Sequence, residues 1–262
     1  MTASGAVTAS GNANVNLPFG LFVDSSSPNA IIAGGNARIN VGGIVQVVGG
    51  ISKSGNAQVT KTGVPASIND PLSSLTSPGL TGLINYGSVS VAGNTTRTLS
   101  PGIYTSIQLS GNANVTMSPG MYIIKGSGFT VSGNASVSGS GVTIFNAGSN
   151  YNVSTDGGNF GGISLSGNGN VNLNPPTMGT YAGILIYQSR VNTRALSISG
   201  NGNVNVNGTI YAANAALTMS GNGKLDDTLI VNTLNISGNI ALTQLAAGSE
   251  RAGDAGGNAN MR

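Results

Sequence analysis

Cysteine, histidine and tryptophan are absent from the sequence. Without cysteine, no disulfide can hold the fold and no thiolate can act as nucleophile or ligand. Without histidine there is no imidazole base, no histidine triad and no imidazole metal ligand. Charge is scarce as well: 10 Lys and Arg and 7 Asp and Glu make up 6% of the chain. The carboxylates are Asp24, Asp70, Asp156, Asp226, Asp227, Glu250 and Asp254, and only Asp226 and Asp227 are adjacent. Neighbours on a strand point to opposite faces, so this pair reads as a solvated turn beside Lys224 and not as an acid–base pair. No catalytic residue and no cofactor is assigned, and an enzyme is not expected.

The net charge of +3 comes from cations spread thinly along the chain. Nucleic-acid binding needs a clustered phosphate-contacting surface, so no nucleic-acid partner is expected. No run of about 18 apolar residues exists to cross a membrane as a helix. The start, Met1-Thr2-Ala3-Ser4-Gly5, shows no basic region followed by an apolar core, so no signal peptide is read there, and whether Met1 begins an excised fragment stays open. Asp156-Gly157-Gly158-Asn159 could hold calcium only weakly, since neither EF-hand spacing nor the calcium-binding nonapeptide is present; no metal site is assigned. Gly-Asn-Gly-Asn at 167–170 and 200–203 lacks the spacing of a phosphate loop, and both stretches read as corners.

What the sequence has in abundance is glycine, 42 residues, beside 39% hydrophobic residues. Disorder goes with low hydrophobicity and high charge, so an ordered, glycine-punctuated core is implied. Ser-Gly-Asn-Ala or a close variant occurs ten times, with its asparagine at Asn12, Asn36, Asn56, Asn94, Asn112, Asn134, Asn168, Asn201, Asn222 and Asn239. The spacings are 24, 20, 38, 18, 22, 34, 33, 21 and 17 residues. Four residues before each repeat glycine stand Val7, Ile31, Ile51, Val89, Ile107, Phe129, Ile163, Leu196, Leu217 and Leu234. Four residues after it stand Val15, Ile39, Val59, Arg97, Val115, Val137, Val171, Val204, Leu225 and Leu242, a column broken only by Arg97. Period-2 alternation of this kind marks strands with one face inside and one in water.

Each unit therefore reads as two short strands joined at a Gly-Asn corner, where both residues tolerate left-handed backbone. A unit of about 20 residues cannot bury its apolar face alone, so units must stack. The expected fold is all-β: a right-handed parallel β-helix (β-solenoid) of about 11–13 coils, right-handed because parallel crossovers favour that sense. It would form a single domain over residues 1–245, with loop excursions near 68–87 and 150–162 and a flexible tail at 246–262. Three and five residues after the repeat glycine stand the polar pairs Asn14/Asn16, Asn114/Thr116, Asn170/Asn172 and Asn203/Asn205, with similar residues in the other copies. These residues form the candidate ligand face, and the ten corner asparagines are assigned a structural role. Val115 and Val137 belong to the core in this register; Asn114 and Ser136 belong to the surface.

Several stretches carry a family resemblance. Val23-Asp24-Ser25-Ser26-Ser27, Asp70-Pro71-Leu72-Ser73-Ser74-Leu75, the blocks Leu99 to Tyr104, Met121 to Gly126 and Phe129 to Ala135, Gly179 to Leu185 and Gly208 to Tyr211 occur in an order that resembles the C-terminal region of TadG-like proteins of the Tad/Flp pilus-assembly group. The resemblance spans residues 20 to 245. It implies an exported protein, extracellular or on a bacterial surface, and brings no catalytic residues. The membrane anchor and the early cysteines usual in such proteins are missing here.

Three functions stay open. The first is a non-catalytic structural or adhesive module of the cell envelope, with surface glycans or further copies of itself as partners; neither terminus supplies a polar cap, so end-to-end filaments are expected. The second is an ice-binding solenoid using the flat Asn/Thr/Ser face. The third is a polysaccharide-binding or polysaccharide-active β-helix.

Overall fold

The computed structural model describes residues 3–59, 66–200, 204–222, 224–244 and 259–261. These contain 24 strands and no helix. Every strand-to-strand pairing is parallel, with the backbone bonds of most short strands running to the strands on either side. The alternation read from the sequence is the alternation of burial. Val115 and Val137 are buried, Asn114 is exposed and Ser136 half-buried. The column four residues before the repeat glycine is buried except at Ile51, which is half-buried.

The expected open, right-handed β-helix of consecutive coils is not what forms. Three strands, Gly102–Leu109, Val204–Gly221 and Lys224–Ile236, are long enough to serve more than one ladder at once, and the first two close a ring. Gly102–Leu109 pairs through Gly102–Tyr104 with Gly120–Lys125, and through Ile107–Leu109 with Phe129–Val131. Val204–Gly221 pairs through Thr209–Tyr211 with Ile184–Gln188, and through Leu217–Gly221 with Leu196–Gly200. Between these two strands one path runs through Val142–Ala147 and the other through Ile163–Gly167. The pairings thus close into a barrel-like ring of eight parallel strands, and the remaining strands lie outside it. The local cause is visible in sequence: Thr105-Ser106 and Ala212 to Ala216 contain no glycine or proline, so nothing stops the strand there.

The order of the outer strands departs from chain order too. Val7–Ala9, expected to begin a stack, pairs on one side with Leu234–Ile236 and on the other with Ile31–Ala33. Asn14–Leu17 lies likewise between Ala241–Thr243 and Arg38–Val41. The N-terminal strands therefore continue the ladder that the C-terminal strands leave. Of the expected tail, residues 259–261 pair as a strand with Ile230–Val231 and with Leu21–Val23, and 245–258 lie outside the described residues.

Two apolar cores result. The main one takes the inward columns, including Val115, Val137, Phe129 and Leu217. The second lies on the other face of the strands Gly120–Lys125, Val142–Ala147 and Ile184–Gln188. Alternate residues of these strands serve opposite cores: Ile124 and Ile144 the first, Ile123 and Phe145 the second. Both faces being covered, these strands read as unbroken apolar runs instead of alternating ones. The excursion near 68–87, expected to leave the stack, folds back over the second core with Leu72 and Leu75 buried, and Asn85–Val91 is already a strand. The excursion near 150–162 meets it there, the Tyr151 hydroxyl donating to the Pro78 carbonyl at 2.6 Å.

Candidate recognition faces

The exposed positions that follow each corner fall into straight rows, because parallel pairing sets equivalent residues side by side at roughly 4.8 Å. Asn114 stands between Thr96 and Ser136, and Thr116 between Thr98 and Ser138. Asn172 follows Ser138 and precedes Asn205, whose Nδ2 donates to Asn172 Oδ1 at 3.3 Å. Asn14 and Asn16 sit between Arg38/Asn40 and Ala241/Thr243. Asn170 is exposed, its N–H donating to Ser136 Oγ at 3.0 Å. Asn203 lies outside the described residues. The row is mostly polar, and charged residues hold three of its register positions: Arg38, Lys224 and Asp226.

The corner asparagines turn outward and bond to one another. Asn56 donates to Asn36, Asn36 to Asn12, Asn12 to Asn239 and Asn239 to Asn222, at 2.9–3.2 Å. A second run takes Asn134 to Asn112 to Asn94. Asn168 is exposed, with its backbone N–H on the Gly133 carbonyl at 2.7 Å, and Asn201 lies outside the described residues. Each amide in a run spends one donor and one acceptor on its neighbours. These ladders account for the recurrence of asparagine without any ligand.

A third row was overlooked in the sequence, although its signal was there: the residue three places before each repeat glycine. In register these are Ser90, Gln108, Thr130, Ser164, Ser197, Thr218, Asn235, Thr8, Ile32 and Ser52. All are uncharged, most are small, and all are exposed or half-buried. The search in sequence began from the residues after the corner, where asparagine stands out, and so passed over this hydroxyl-rich line.

The densest polar chemistry lies over the second core. Asp70, with its side chain 7% exposed, accepts the Tyr211 hydroxyl at 2.7 Å and the Leu72 N–H at 2.9 Å. Arg190 reaches Asp70 at 4.0 Å, donates to the Leu72 and Leu75 carbonyls and to the Tyr187 hydroxyl, and lies over the Tyr187 and Tyr211 rings. Burial first, and then the Asp70 carboxylate, hold the Tyr211 hydroxyl protonated well above the ordinary phenol range. A cleft of about 200 Å³ opens beside Arg190, walled by Tyr151, Val153, Thr155 and Asp156. Asp156 Oδ1 accepts the Gly148 N–H at 2.8 Å, which makes it the tie of its own loop. Asp226 and Asp227, expected in a turn, lie within the strand Lys224–Ile236, opposite Asn207 and Gly208. Among the described residues no three of His, Cys, Asp and Glu come together as a metal site. The Arg190 cluster ties a covering segment to the strands beneath it, with every charged group already engaged by protein. Compared with family models, curated proteins and solved structures, the chain gives no match.

Proposed function

We propose that this chain is a non-catalytic adhesive module of the bacterial cell exterior that binds a repetitive surface, with glycan as the first candidate. The observation that carries the reading is the set of in-register rows of neutral polar side chains, such as Thr98, Thr116, Ser138, Asn172 and Asn205. A row with one residue type of contact per rung matches a ligand that repeats, and not a single small molecule held in a pocket. The scarcity of charge along the row favours uncharged hydroxyl-bearing partners, which exchange hydrogen bonds with amides and hydroxyls without a large desolvation cost. The envelope setting rests on the resemblance to the TadG-like group alone.

A glycan and surface-binding array with the purified chain tests this. Thr116→Arg and Asn172→Arg each place a bulky cation in the middle of the row and should lower binding by about tenfold or more, the equivalent of about 1.4 kcal/mol. Binding unchanged in both variants would remove this row from consideration. Turnover of a polysaccharide that vanishes in the Asp226→Asn, Asp227→Asn double variant would overturn the non-catalytic reading itself.

A second reading is favoured by the row from Ser90 to Ser52. Its uncharged, mostly small, half-buried side chains are the kind that hold an ordered water layer, which suits ice better than the asparagine-rich row does. Thermal hysteresis that is lost in Thr130→Arg but kept in Thr116→Arg would select ice binding over glycan adhesion.

A further inference from the structure

The ladder has two open ends, and neither coincides with a chain terminus. At one end Asn85–Val91 and Thr96–Leu99 pair on one side only, with Gly102–Leu109 and Asn114–Met117. At the other end Ile51–Lys53 and Gln58–Val59 pair on one side only, with Ile31–Ala33 and Arg38–Ile39, among the described residues. All these pairings are parallel, so the free edge of one end presents the strand sense and register that the other end would accept. A second copy of the chain is therefore the partner whose geometry fits: Ile51–Lys53 against Asn85–Val91, and Gln58–Val59 against Thr96–Leu99.

Each end of the ladder holds one cation in a column that is otherwise apolar, Lys53 at one and Arg97 at the other. Val91, Leu109, Val131, Leu165, Ile198, Met219, Ile236, Ala9 and Ala33 form an unbroken buried column, and the next residue in it is Lys53. Val115, Val137, Val171 and Val204 form a second, and the residue at its end is Arg97. Both cations are exposed because no strand lies beyond them among the described residues. Continuing the ladder into a second copy would set Lys53 against Val91 and Arg97 against Val59. It would bury two like charges in one interface with no carboxylate in either strand to meet them. Inward-pointing charge on an edge strand is a recognised way to keep sheet edges from pairing.

We propose that Arg97 and Lys53 are gatekeepers that hold the chain monomeric by blocking head-to-tail pairing of its two ends. This goes beyond the adhesive reading and does not depend on it. The expectation of filaments drawn from uncapped termini loses its premise, since the strand nearest the N-terminus is paired on both sides.

Sedimentation velocity with negative-stain electron microscopy on the full chain provides the test. The unaltered protein should stay monomeric at the highest soluble concentration. The Lys53→Val, Arg97→Val double variant should form linear oligomers whose length grows with concentration. The Arg38→Gln, Lys125→Gln pair, which removes the same net charge from strands that are paired on both sides, should remain monomeric. Should the valine variant fail to give the parent circular dichroism spectrum, the Lys53→Gln, Arg97→Gln pair replaces it, with the same expectation. A folded double variant that stays monomeric overturns the proposal. So do linear oligomers of the unaltered protein, or oligomers of the Arg38 and Lys125 control.

Discussion

Replacing Asp70 by alanine tests the account of how the segment around residues 68–84 is held down. The substitution removes the acceptor for the Tyr211 hydroxyl and for the Leu72 N–H, at 2.7 and 2.9 Å. Hydrogen bonds to a charged group contribute about 1.5–3 kcal/mol each. The contact with Arg190 adds little, roughly 0–1 kcal/mol, because that guanidinium is a third exposed and retains its carbonyl partners. The expected loss is therefore about 3–5 kcal/mol, part of it from the Tyr211 hydroxyl left buried without an acceptor.

Two measurements separate a local from a global effect. If the covering segment opens by itself, hydrogen exchange at the Leu72 and Leu75 amides should accelerate by roughly a hundredfold or more, since each 1.4 kcal/mol is about a factor of ten. If it unfolds with the rest, the melting temperature should fall by about 6–20 °C, taking roughly 2–4 °C per kcal/mol for a chain of this size. Asp24→Ala is the comparison: among the described residues Asp24 accepts the Ile68 N–H, at 3.1 Å, so its loss should cost about 1–2 kcal/mol. An Asp70→Ala protein with parental exchange and a melting point within about 2 °C of the parent would refute the clamp.

Three further outcomes follow from the packing. Val115→Asp places a carboxylate in a fully buried column and should destabilise by several kcal/mol, whereas Asn114→Asp, one residue away and exposed, should be mild; equal melting points would refute the register. Gly167→Ala should cost more than about 2 kcal/mol, because φ is +111° and a Cβ would lie 2.1 Å from the Gly133 carbonyl oxygen, while Gly157→Ala meets nothing and should be neutral. Alkaline melts should show a constant melting temperature below pH 10 and a fall from about 10 to 12. Tyr104 and Tyr151 are pushed up to about 12 chiefly by burial, so above pH 10 the unfolded chain loses protons that the folded chain keeps, and stability declines with rising pH. A melting temperature independent of pH across that interval would refute their burial.

Much of the local structure was legible because one residue spacing encodes it. The alternation Ala113-Asn114-Val115-Thr116-Met117 states which side chain is inside, and the recurring glycine states where the backbone must turn with positive φ, as at Gly111 and Gly133. The strands of the second core were less legible. Met121 to Ile124 shows no alternation, since Ile123 and Ile124 each face a different core, and only the Tyr residues, with hydroxyls bonded to backbone as Tyr122 is to Leu99 and Ser118, hinted at a buried polar edge. The Arg190 cluster was invisible: Asp70 and Arg190 are far apart in sequence, and neither sits in a repeat.

The closure and order of the strands were misjudged for a physical reason that Val7 illustrates. Its side chain packs in the same column as Leu234 and Ile31, and each contact is one apolar residue beside another at the same ladder spacing. Any strand with that apolar column could take the place of any other at nearly the same burial energy, so the pattern that defines a rung says nothing about which rung comes next. Order has to be decided by features that are not repeated. Here they are the unbroken run through Ala212 to Ala216, which lets one strand serve two ladders, and the cations at 53 and 97, which a buried column tolerates only at its ends. Arg97 was the one departure from its column in the sequence. A charge that breaks an apolar column marks an edge strand, and Lys53 and Arg97 together place the two ends of the ladder in the interior of the sequence.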